Sequence, residues 1–310
     1  GADLISTIDL RAQLIAEDLL QGKTGSIVVV DVNNGAVLVM ASAPGYDLAQ
    51  MSSEYYGSLA GNEEDRPLVN RAVLAGYAPG SIVKPIVAMA ALETGVATPE
   101  DTYYCDGVFN FGNARIRCWN RSGHGDVAMV KAIEQSCNPY FLHYGMETGL
   151  ENLRPFFLGA GFGVVPKLDI PVVWGAGLVP SREWSRKKAG REWLAIDTAF
   201  ISIGQGSLNL SPLQAAMYVG AIANGGTVFR PHLVQRVVDP DGYIRKNTPP
   251  VADNRLPASQ ATLDVVREGM YWVVNRSNGT GKRARNDAIT LAGKTGTAEV
   301  IRPDEDYNNT

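Results

Sequence analysis

Apolar residues in the first part of the chain follow a helical pattern and then a β-rich one. One face of a helix predicted over residues 9–20 carries the apolar side chains Leu10, Leu14, Ile15 and Leu19. Residues 26–32 and 36–42 are rich in apolar and β-branched side chains, and Asn34-Gly35 between them favours a tight turn. The start of the chain therefore predicts a helix followed by a β-hairpin.

The rest of the chain alternates between irregular and helical patterns. Residues 45–78 and 100–125 show no clear period, whereas residues 82–92 are almost wholly apolar, as is typical of a helix buried on all sides. Further helices are predicted over 127–135, 139–147, 211–224 and 263–274, and strands over 227–238 and 290–300. Because strands fall near both ends with helices between them, we expect an α/β fold with a large helical insertion.

Composition narrows the possible functions. The chain has 310 residues, of which 45% are hydrophobic, so it can form one large domain or two lobes. A net charge of −4 shows no basic excess, and we expect no nucleic-acid partner. No apolar run reaches the length of a transmembrane helix. The first residues, Gly1-Ala2-Asp3, carry no signal peptide, and we interpret them as a cut end with any membrane anchor upstream.

The first candidate for chemistry is Ser81-x-x-Lys84, which follows Pro79-Gly80 at the start of the apolar helix. Residues three apart share one face of a helix. A helix start offers a free backbone N–H that suits an oxyanion, and a buried lysine tends to lose its proton and can then act as a base. The same spacing recurs at Ser185–Lys188, which we interpret as part of a solvated basic stretch, so the motif alone is weak.

Two further motifs add polar groups of the right kind. Ser136-Cys137-Asn138 offers a hydroxyl and an amide that can relay a proton and hold a substrate amide, although Ser136 could instead cap the following helix. Lys294-Thr295-Gly296-Thr297, on a predicted edge strand, combines a positive charge, a hydroxyl that can bind a carboxylate and a glycine that permits close backbone approach. Duplicates at Ser207–Asn209 and Lys23–Gly25 show that neither spacing is specific alone.

Taken in order, the three motifs resemble the active-site set of penicillin-binding proteins and serine β-lactamases. The likeness extends to other segments of class B transpeptidase domains, including Thr7-Ile-Asp-Leu-Arg11, Pro79-Gly-Ser-Ile-Val-Lys-Pro85, Pro180-Ser-Arg-Glu-Trp184, Ser211-Pro-Leu-Gln214 and Gly293-Lys-Thr-Gly-Thr-Ala298. Within that family the chain is most similar to the penicillin-binding protein 2 type of the rod-elongation complex.

The resemblance implies the transpeptidase fold, in which an antiparallel sheet is flanked by helices and joined to an all-helical lobe. We expect one transpeptidase domain over 1–310, with an α/β lobe formed by 1–45 and 225–310 and a mainly helical lobe formed by 46–224. In the family, two strands and a helix follow the Lys-Thr-Gly strand. Because this chain ends at Thr310, we expect a sheet that lacks its C-terminal strands.

The resemblance also implies a D,D-transpeptidase that cross-links peptidoglycan stem peptides and is inhibited covalently by β-lactams, without a catalytic cofactor. The implied catalytic residues are Ser81, Lys84, Ser136, Asn138 and Lys294, and the implied substrate-binding residues are Thr295, Gly296 and Thr297. Ser81 would attack the penultimate D-alanine with Lys84 as base, and Ser136 would protonate the leaving nitrogen. The N–H groups of Ser81 and Thr297 would form the oxyanion hole.

Other functions on the same fold stay open. The alternatives are a D,D-carboxypeptidase, a β-lactamase, and a non-catalytic receptor for β-lactams or muropeptides. A class A β-lactamase deacylates with a glutamate, and no convincing Glu-x-x-x-Asn segment follows Ser136. Slow deacylation would separate a transpeptidase from a β-lactamase, and turnover of a stem peptide would separate it from a receptor.

All three cysteines and one of the three histidines lie between positions 105 and 137. Three thiolates and an imidazole can form a closed tetrahedral site, so we predict structural zinc bound by Cys105, Cys118, His124 and Cys137. The alternative is a Cys105–Cys118 disulfide with Cys137 free, which an oxidising compartment favours. Some relatives of the penicillin-binding protein 2 type resemble this chain here, with Asp, Asp, His and Cys ligands at similar positions.

For the full-length protein, the resemblance implies a location and partners. It implies a periplasmic domain of an inner-membrane protein, held by an N-terminal transmembrane helix that this chain does not contain. The implied protein partners are a SEDS-family glycan polymerase and a rod-shape scaffold protein.

Overall fold

The computed structural model describes residues 1–170 and 175–298. The strands are β1 (Asp3–Ser6), β2 (Gly25–Val30), β3 (Val37–Ala43), β4 (Tyr103–Cys105), β5 (Val108–Phe111), β6 (Ala114–Arg117), β7 (Gly125–Val127), β8 (Thr227–Phe229), β9 (Val234–Val238), β10 (Ile244–Asn247) and β11 (Ala252–Arg255). The helices are α1 (Leu10–Leu19), α2 (Ser53–Gly61), α3 (Lys84–Glu93), α4 (Met129–Glu134), α5 (Asn138–Gly159), α6 (Arg182–Trp184), α7 (Ala195–Ser202), α8 (Pro212–Asn224) and α9 (Gln260–Asn275).

The chain divides into two compact units, each assembled from three stretches of sequence. Of the described residues, unit 1 comprises 1–77, 157–170, 175–179 and 209–257, and unit 2 comprises 78–156, 180–208 and 258–298. The lobe boundaries expected from the sequence stay a prediction.

Unit 1 contains the predicted helix and hairpin. The carboxylate of Asp9 accepts the N–H of Ala12 and so caps the start of α1, which ends at Leu19. Strands β2 and β3 pair in antiparallel register, and α1 packs on β3 through a small apolar cluster that includes Ala16 and Val39. Both elements were predicted, but the predicted apolar face of the helix, formed by Leu10, Leu14, Ile15 and Leu19, is exposed. Helix α1 packs instead through Ala12, Ala16 and Leu20.

Unit 1 also shows where the strand prediction over 227–238 was wrong. The segment forms two strands rather than one, because Pro231 has no N–H to continue a ladder. Strand β8 pairs with β11, whereas β9 lies between β1 and β10 in the largest described sheet, which has three strands. All of these pairings are antiparallel, as expected for the fold class.

Unit 2 is organised around the buried helix α3. All residues from Lys84 to Ala91 are buried. Helix α9 packs against α4 and α3, and a Cβ at Gly269 would lie 2.8 Å from Ile133, so glycine permits the close approach of α9 to α4. Two small antiparallel pairs, β4–β7 and β5–β6, stand beside these helices.

The predicted strand over 290–300 is not formed in its described part. Residues 290–298 have no ladder partner among the described strands, and the N–H of Gly293 donates instead to the carbonyl of Met270 in α9. A β-strand needs a hydrogen-bonded neighbour, and this segment contacts helices and turns rather than an edge. Residues 299–300 lie outside the described residues.

Candidate active site and cysteine cluster

Ser81 lies in a 3-10 turn, Gly80–Val83, that leads directly into α3. Gly80 has φ 56°, and its N–H donates to the carbonyl of Gly204 at 2.9 Å. A side chain at Gly80 would collide with the backbone of Thr297, so only glycine allows that backbone to approach. The turn therefore places Ser81 next to the segment that carries Thr297.

Lys84 is fully buried and has polar groups on three sides. Its Nζ donates to Ser136 O at 2.8 Å, to Ser136 Oγ at 3.2 Å and to Asn138 Oδ1 at 2.7 Å. Burial lowers the pKa of Lys84 to about 7, against the opposing pull of the nearby thiols of Cys137 and Cys118. A substantial fraction of Lys84 is therefore neutral at neutral pH, which a general base requires.

Lys294 approaches the same hydroxyl from another segment. Its Nζ lies 2.8 Å from Ser136 Oγ and 2.9 Å from the carbonyl of Thr295. Burial, and after it the positive charge of Lys84, lower the pKa of Lys294 to about 6. The hydroxyl of Ser136 thus bridges two lysines whose protons are weakly held.

Ser136 occupies an unusual backbone conformation between α4 and α5. Its φ is 52°, in the left-handed region, where a residue other than glycine costs roughly 1–3 kcal/mol. Its N–H donates to Ile133 O at 3.2 Å and so terminates α4. Its hydroxyl accepts from Lys84 and Lys294 and not from the first turn of α5, so the capping interpretation of Ser136 is wrong.

Two further contacts join the Lys-Thr-Gly segment to the rest of unit 2. Thr295 Oγ1 lies 2.8 Å from Thr280 Oγ1, and a Cβ at Gly296 would lie 2.8 Å from the side chain of Ile82. The hydroxyl of Thr297 belongs to an exposed residue. Thr280 was not predicted from the sequence, because a lone threonine in a loop gives no signal.

All eight predicted catalytic and substrate-binding residues lie in unit 2. Direct hydrogen bonds join Lys84, Ser136, Asn138 and Lys294, whereas Ser81 joins them through backbone packing. The three donor contacts of Lys84 go to Ser136 and Asn138 and none goes to Ser81 Oγ among the described residues. Hydrogen bonds of this kind often form only when substrate is bound.

The four predicted metal ligands also come together. The thiols of Cys105, Cys118 and Cys137 and a ring nitrogen of His124 lie within 4.8 Å of one another. His124 Nδ1 is 3.6 Å from Cys105 Sγ and 3.5 Å from Cys118 Sγ. All three cysteines are buried and free.

The donor types of this cluster, and the two distances from His124, suit a tetrahedral zinc site. Zinc binds sulfur at about 2.3 Å and nitrogen at about 2.0–2.1 Å, which places a nitrogen and a sulfur donor about 3.5–3.6 Å apart and two sulfur donors about 3.8 Å apart. The two measured distances from His124 Nδ1 agree with the nitrogen–sulfur value. The hydrogen bond between Cys118 and Cys137 lowers the pKa of the first thiol and raises that of the second. The residues present therefore fit a zinc ion.

Residues 25–310 match the family model of the penicillin binding protein transpeptidase domain. The chain is 37% identical to peptidoglycan D,D-transpeptidase MrdA of Haemophilus influenzae over 99% of its length and 48% of the relative. It is similar to Pseudomonas aeruginosa PBP2, solved with WCK 5153, at 37% identity and a TM-score of 0.86, covering 97% of this chain and 68% of the other. It is also similar to Helicobacter pylori PBP2, solved in complex with MreC, at 34% identity and a TM-score of 0.85, covering 96% and 55%.

The chain therefore belongs to the penicillin-binding protein transpeptidase family and has its fold. It spans about half the length of the curated relatives that it matches.

Proposed function

We propose that this chain is the transpeptidase domain of a peptidoglycan D,D-transpeptidase that uses Ser81 as its nucleophile. The observation that carries the proposal is the hydrogen-bonded series Lys84–Ser136–Lys294 beside a serine at the start of a buried helix. The name of the Haemophilus influenzae relative supports the same activity.

The first half of the reaction forms an acyl-enzyme. Ser81 Oγ attacks the carbonyl carbon of the penultimate D-alanine while Lys84 Nζ accepts its proton. Lys84 has three N–H groups only as an ammonium, so the neutral amine gives up one of its three contacts and turns a lone pair towards Ser81. The bond to the terminal D-alanine then breaks, and Ser136 Oγ gives its nitrogen a proton that the lysines replace.

In the second half, an amine of a neighbouring stem attacks the Ser81 ester. The new amide C–N bond forms, the ester bond to Ser81 Oγ breaks, and Lys84 takes a proton from the amine and returns one to Ser81 Oγ. The backbone N–H groups of Ser81 and Thr297 stabilise the oxyanion in both halves. The close packing of Gly80 on Thr297 keeps the two backbone segments that carry these N–H groups together. Thr295 and Thr297 bind the donor carboxylate beside Gly296. Asn138 holds a substrate amide and, through Oδ1, positions Lys84.

Intact-mass measurement after incubation with benzylpenicillin tests the nucleophile. We expect one covalent adduct that maps to Ser81, that persists for many minutes and that is absent from Ser81→Ala. A label on Ser136 or Ser185 would exclude this assignment. Rapid loss of the adduct would favour a β-lactamase, and a stable adduct without turnover of a stem peptide would favour a receptor.

We propose further that the cysteine cluster binds a structural zinc ion. The closeness of three thiols and a ring nitrogen of His124 supports this proposal, and four protein ligands in a tetrahedral site would leave no position open for water. Bound zinc would tie Cys137, and with it the neighbouring Ser136 and Asn138, to the segments that carry Cys105 and Cys118. A Cys105–Cys118 disulfide stays the alternative.

Elemental analysis of the purified protein tests the metal directly. We expect about one zinc per chain, and Cys137→Ser or chelation should lower the melting temperature and slow acylation of Ser81 by β-lactam, because the relay loop loses its support. Ser81 should still be the labelled residue. Protein without zinc, or with a Cys105–Cys118 disulfide found by peptide mapping, would contradict the proposal.

We also propose that the full-length protein works in the periplasm as part of the rod-elongation machinery. Its substrate class lies outside the cytoplasm, and the Helicobacter pylori relative was solved in complex with MreC, which supports a rod-shape scaffold partner. A SEDS-family glycan polymerase is the second expected partner. Among the described residues, no helix is long and apolar enough to cross a bilayer. Fractionation of cells that make the full-length protein, with co-purification of the two partners, tests this location.

A further inference from the structure

A cleft of about 430 Å³ in unit 2 lies next to the residue that precedes Ser136. Its walls come from the connection between β6 and β7, from α4 and from the loop after α9. The lining side chains include Trp119, Asn120, His124, Lys131, Gln135 and Lys282. No carboxylate lines the cleft in the described part of the chain, so its charge is positive.

The two lysines of the cleft have hydrogen-bonding capacity to spare. Lys131 Nζ donates to the carbonyl of Asp126 at 2.7 Å, and Lys282 Nζ donates to the carbonyl of Ser277 at 2.9 Å. An ammonium has three N–H donors, so each lysine keeps two for a ligand. Two such ammonium groups in one cleft suit an anion with two acceptor oxygens.

His124 also lines the cleft. Its Nδ1 faces the thiols of Cys105 and Cys118, whereas its Nε2 is buried without a hydrogen-bond partner among the described residues. When Nδ1 accepts from a thiol or binds a metal, the ring proton lies on Nε2. A histidine in a metal-type cluster normally donates this proton to a carboxylate or a carbonyl. The described residues supply neither, and because Nε2 is buried, the ligand contacts in the cleft fall to the two lysines.

The cleft is connected to the catalytic motifs on both sides. Trp119 Nε1 donates to the carbonyl of Gln135 at 2.8 Å, which fixes the wall that leads into Ser136. On the other side, the loop that carries Lys282 also carries Thr280, whose hydroxyl contacts Thr295. A ligand in the cleft would therefore extend from a substrate bound at these motifs.

We propose that this cleft binds a carboxylate of the peptide substrate other than the C-terminal one, through Lys131 and Lys282. The proposal rests on the proposed function, since it takes the substrate to be a stem peptide with an acidic residue upstream of D-Ala-D-Ala. The carboxylate can belong to the donor stem or to the acceptor stem, and the two sources are separated below.

The test uses two synthetic donor peptides that end in D-Ala-D-Ala and differ only in whether the upstream acidic residue is free or amidated. With the full-length protein, we expect kcat/KM for release of D-alanine to favour the free acid about tenfold or more, as for charge-assisted hydrogen bonds. The double variant Lys131→Gln/Lys282→Gln should bring that ratio close to one. The exposed Lys188→Gln removes the same charge elsewhere in unit 2 and should keep the preference.

A second arm places the free or amidated acid on the acceptor peptide alone and measures cross-linked product. A preference that the double variant abolishes in either arm supports the proposal and identifies the source of the carboxylate. Turnover without a preference in both arms, or a preference that survives the double substitution, overturns the proposal and leaves the proposed function intact. Absence of any turnover together with absence of the penicillin adduct overturns both.

Discussion

Two segments of unit 2 carry a serine and a lysine three residues apart, and they differ in which of the two side chains is buried. In the first, Ser81 is half-buried and Lys84 is fully buried. In the second, Ser185 is 1% exposed and donates to the carbonyl of Arg191 at 2.7 Å, whereas Lys188 projects from a π-helical turn into solvent. The spacing is the same, but the lysine is the more buried residue in the first segment and the serine is the more buried residue in the second.

This difference decides what each pair can do. A base that works at neutral pH needs a lowered pKa, and for a lysine burial is the main way to obtain it. A nucleophile needs access to substrate. Ser81 and Lys84 meet both conditions, whereas Ser185 has its hydroxyl committed to the backbone and Lys188 stays in water. The burial of each side chain, and not the spacing of the motif, therefore determines whether the pair can supply a nucleophile and a base.

Replacing the two lysines should give the largest contrast. Lys84→Met removes the proposed base and places an apolar side chain of similar length on a buried helix, and we expect acylation by β-lactam to fall by about 10²–10⁴. Lys188→Met, the matched control on the exposed segment, should acylate at the rate of the unmodified protein. Stopped-flow or intact-mass kinetics measures both rates. Equal effects of the two substitutions would contradict the conclusion that only the buried lysine can act as the base.

The pH dependence of acylation should show the effect of burial on Lys84. Burial lowers the pKa of Lys84 to about 7, so below that pH the amine is protonated and cannot accept the proton of Ser81. We expect the second-order rate constant for β-lactam acylation to rise about tenfold per pH unit below about pH 7 and to level off above it. A rate that is flat between pH 5.5 and pH 8.5 would show that another group is the base.

The hydrophobic pattern of the sequence was enough to predict elements that bury one apolar face and elements that are buried on all sides. The β2–β3 hairpin and the buried helix α3 were predicted correctly for this reason, whereas helix α1 was predicted from Leu10, Leu14, Ile15 and Leu19, which are exposed. The region from 100 to 125 showed no period, yet it contains four strands of three or four residues that extend to Val127. Such strands are too short to display an alternation, and the cysteine cluster beside them depends on residues distant in sequence.

The candidate site could be predicted in part. The motifs identified the residues, but only the resemblance to a family indicated that Ser136 and Lys294 meet. The backbone of Ser136 at φ 52° and the approach of Gly80 to Thr297 have no signal in the local sequence, because both arise from tertiary packing. The same holds for Gly204, whose carbonyl accepts from Gly80, and for Thr280.

The smallest expected effect on acylation and stability comes from replacing Ser185, the buried serine of the second segment. Ser185→Ala removes a buried hydroxyl and leaves the carbonyl of Arg191 without its donor, so we expect the free energy of unfolding to fall by about 0.5–1.5 kcal/mol. Acylation by β-lactam should be unchanged, because Ser185 contacts none of the catalytic residues in the described structure. Ser81→Ala should give the opposite result, with acylation abolished and stability nearly unchanged, since Ser81 Oγ makes no described hydrogen bond whose loss would weaken the fold. Chemical denaturation and intact mass of both variants measure the pair, and a loss of acylation in Ser185→Ala would mean that the exposed segment supports the active site after all.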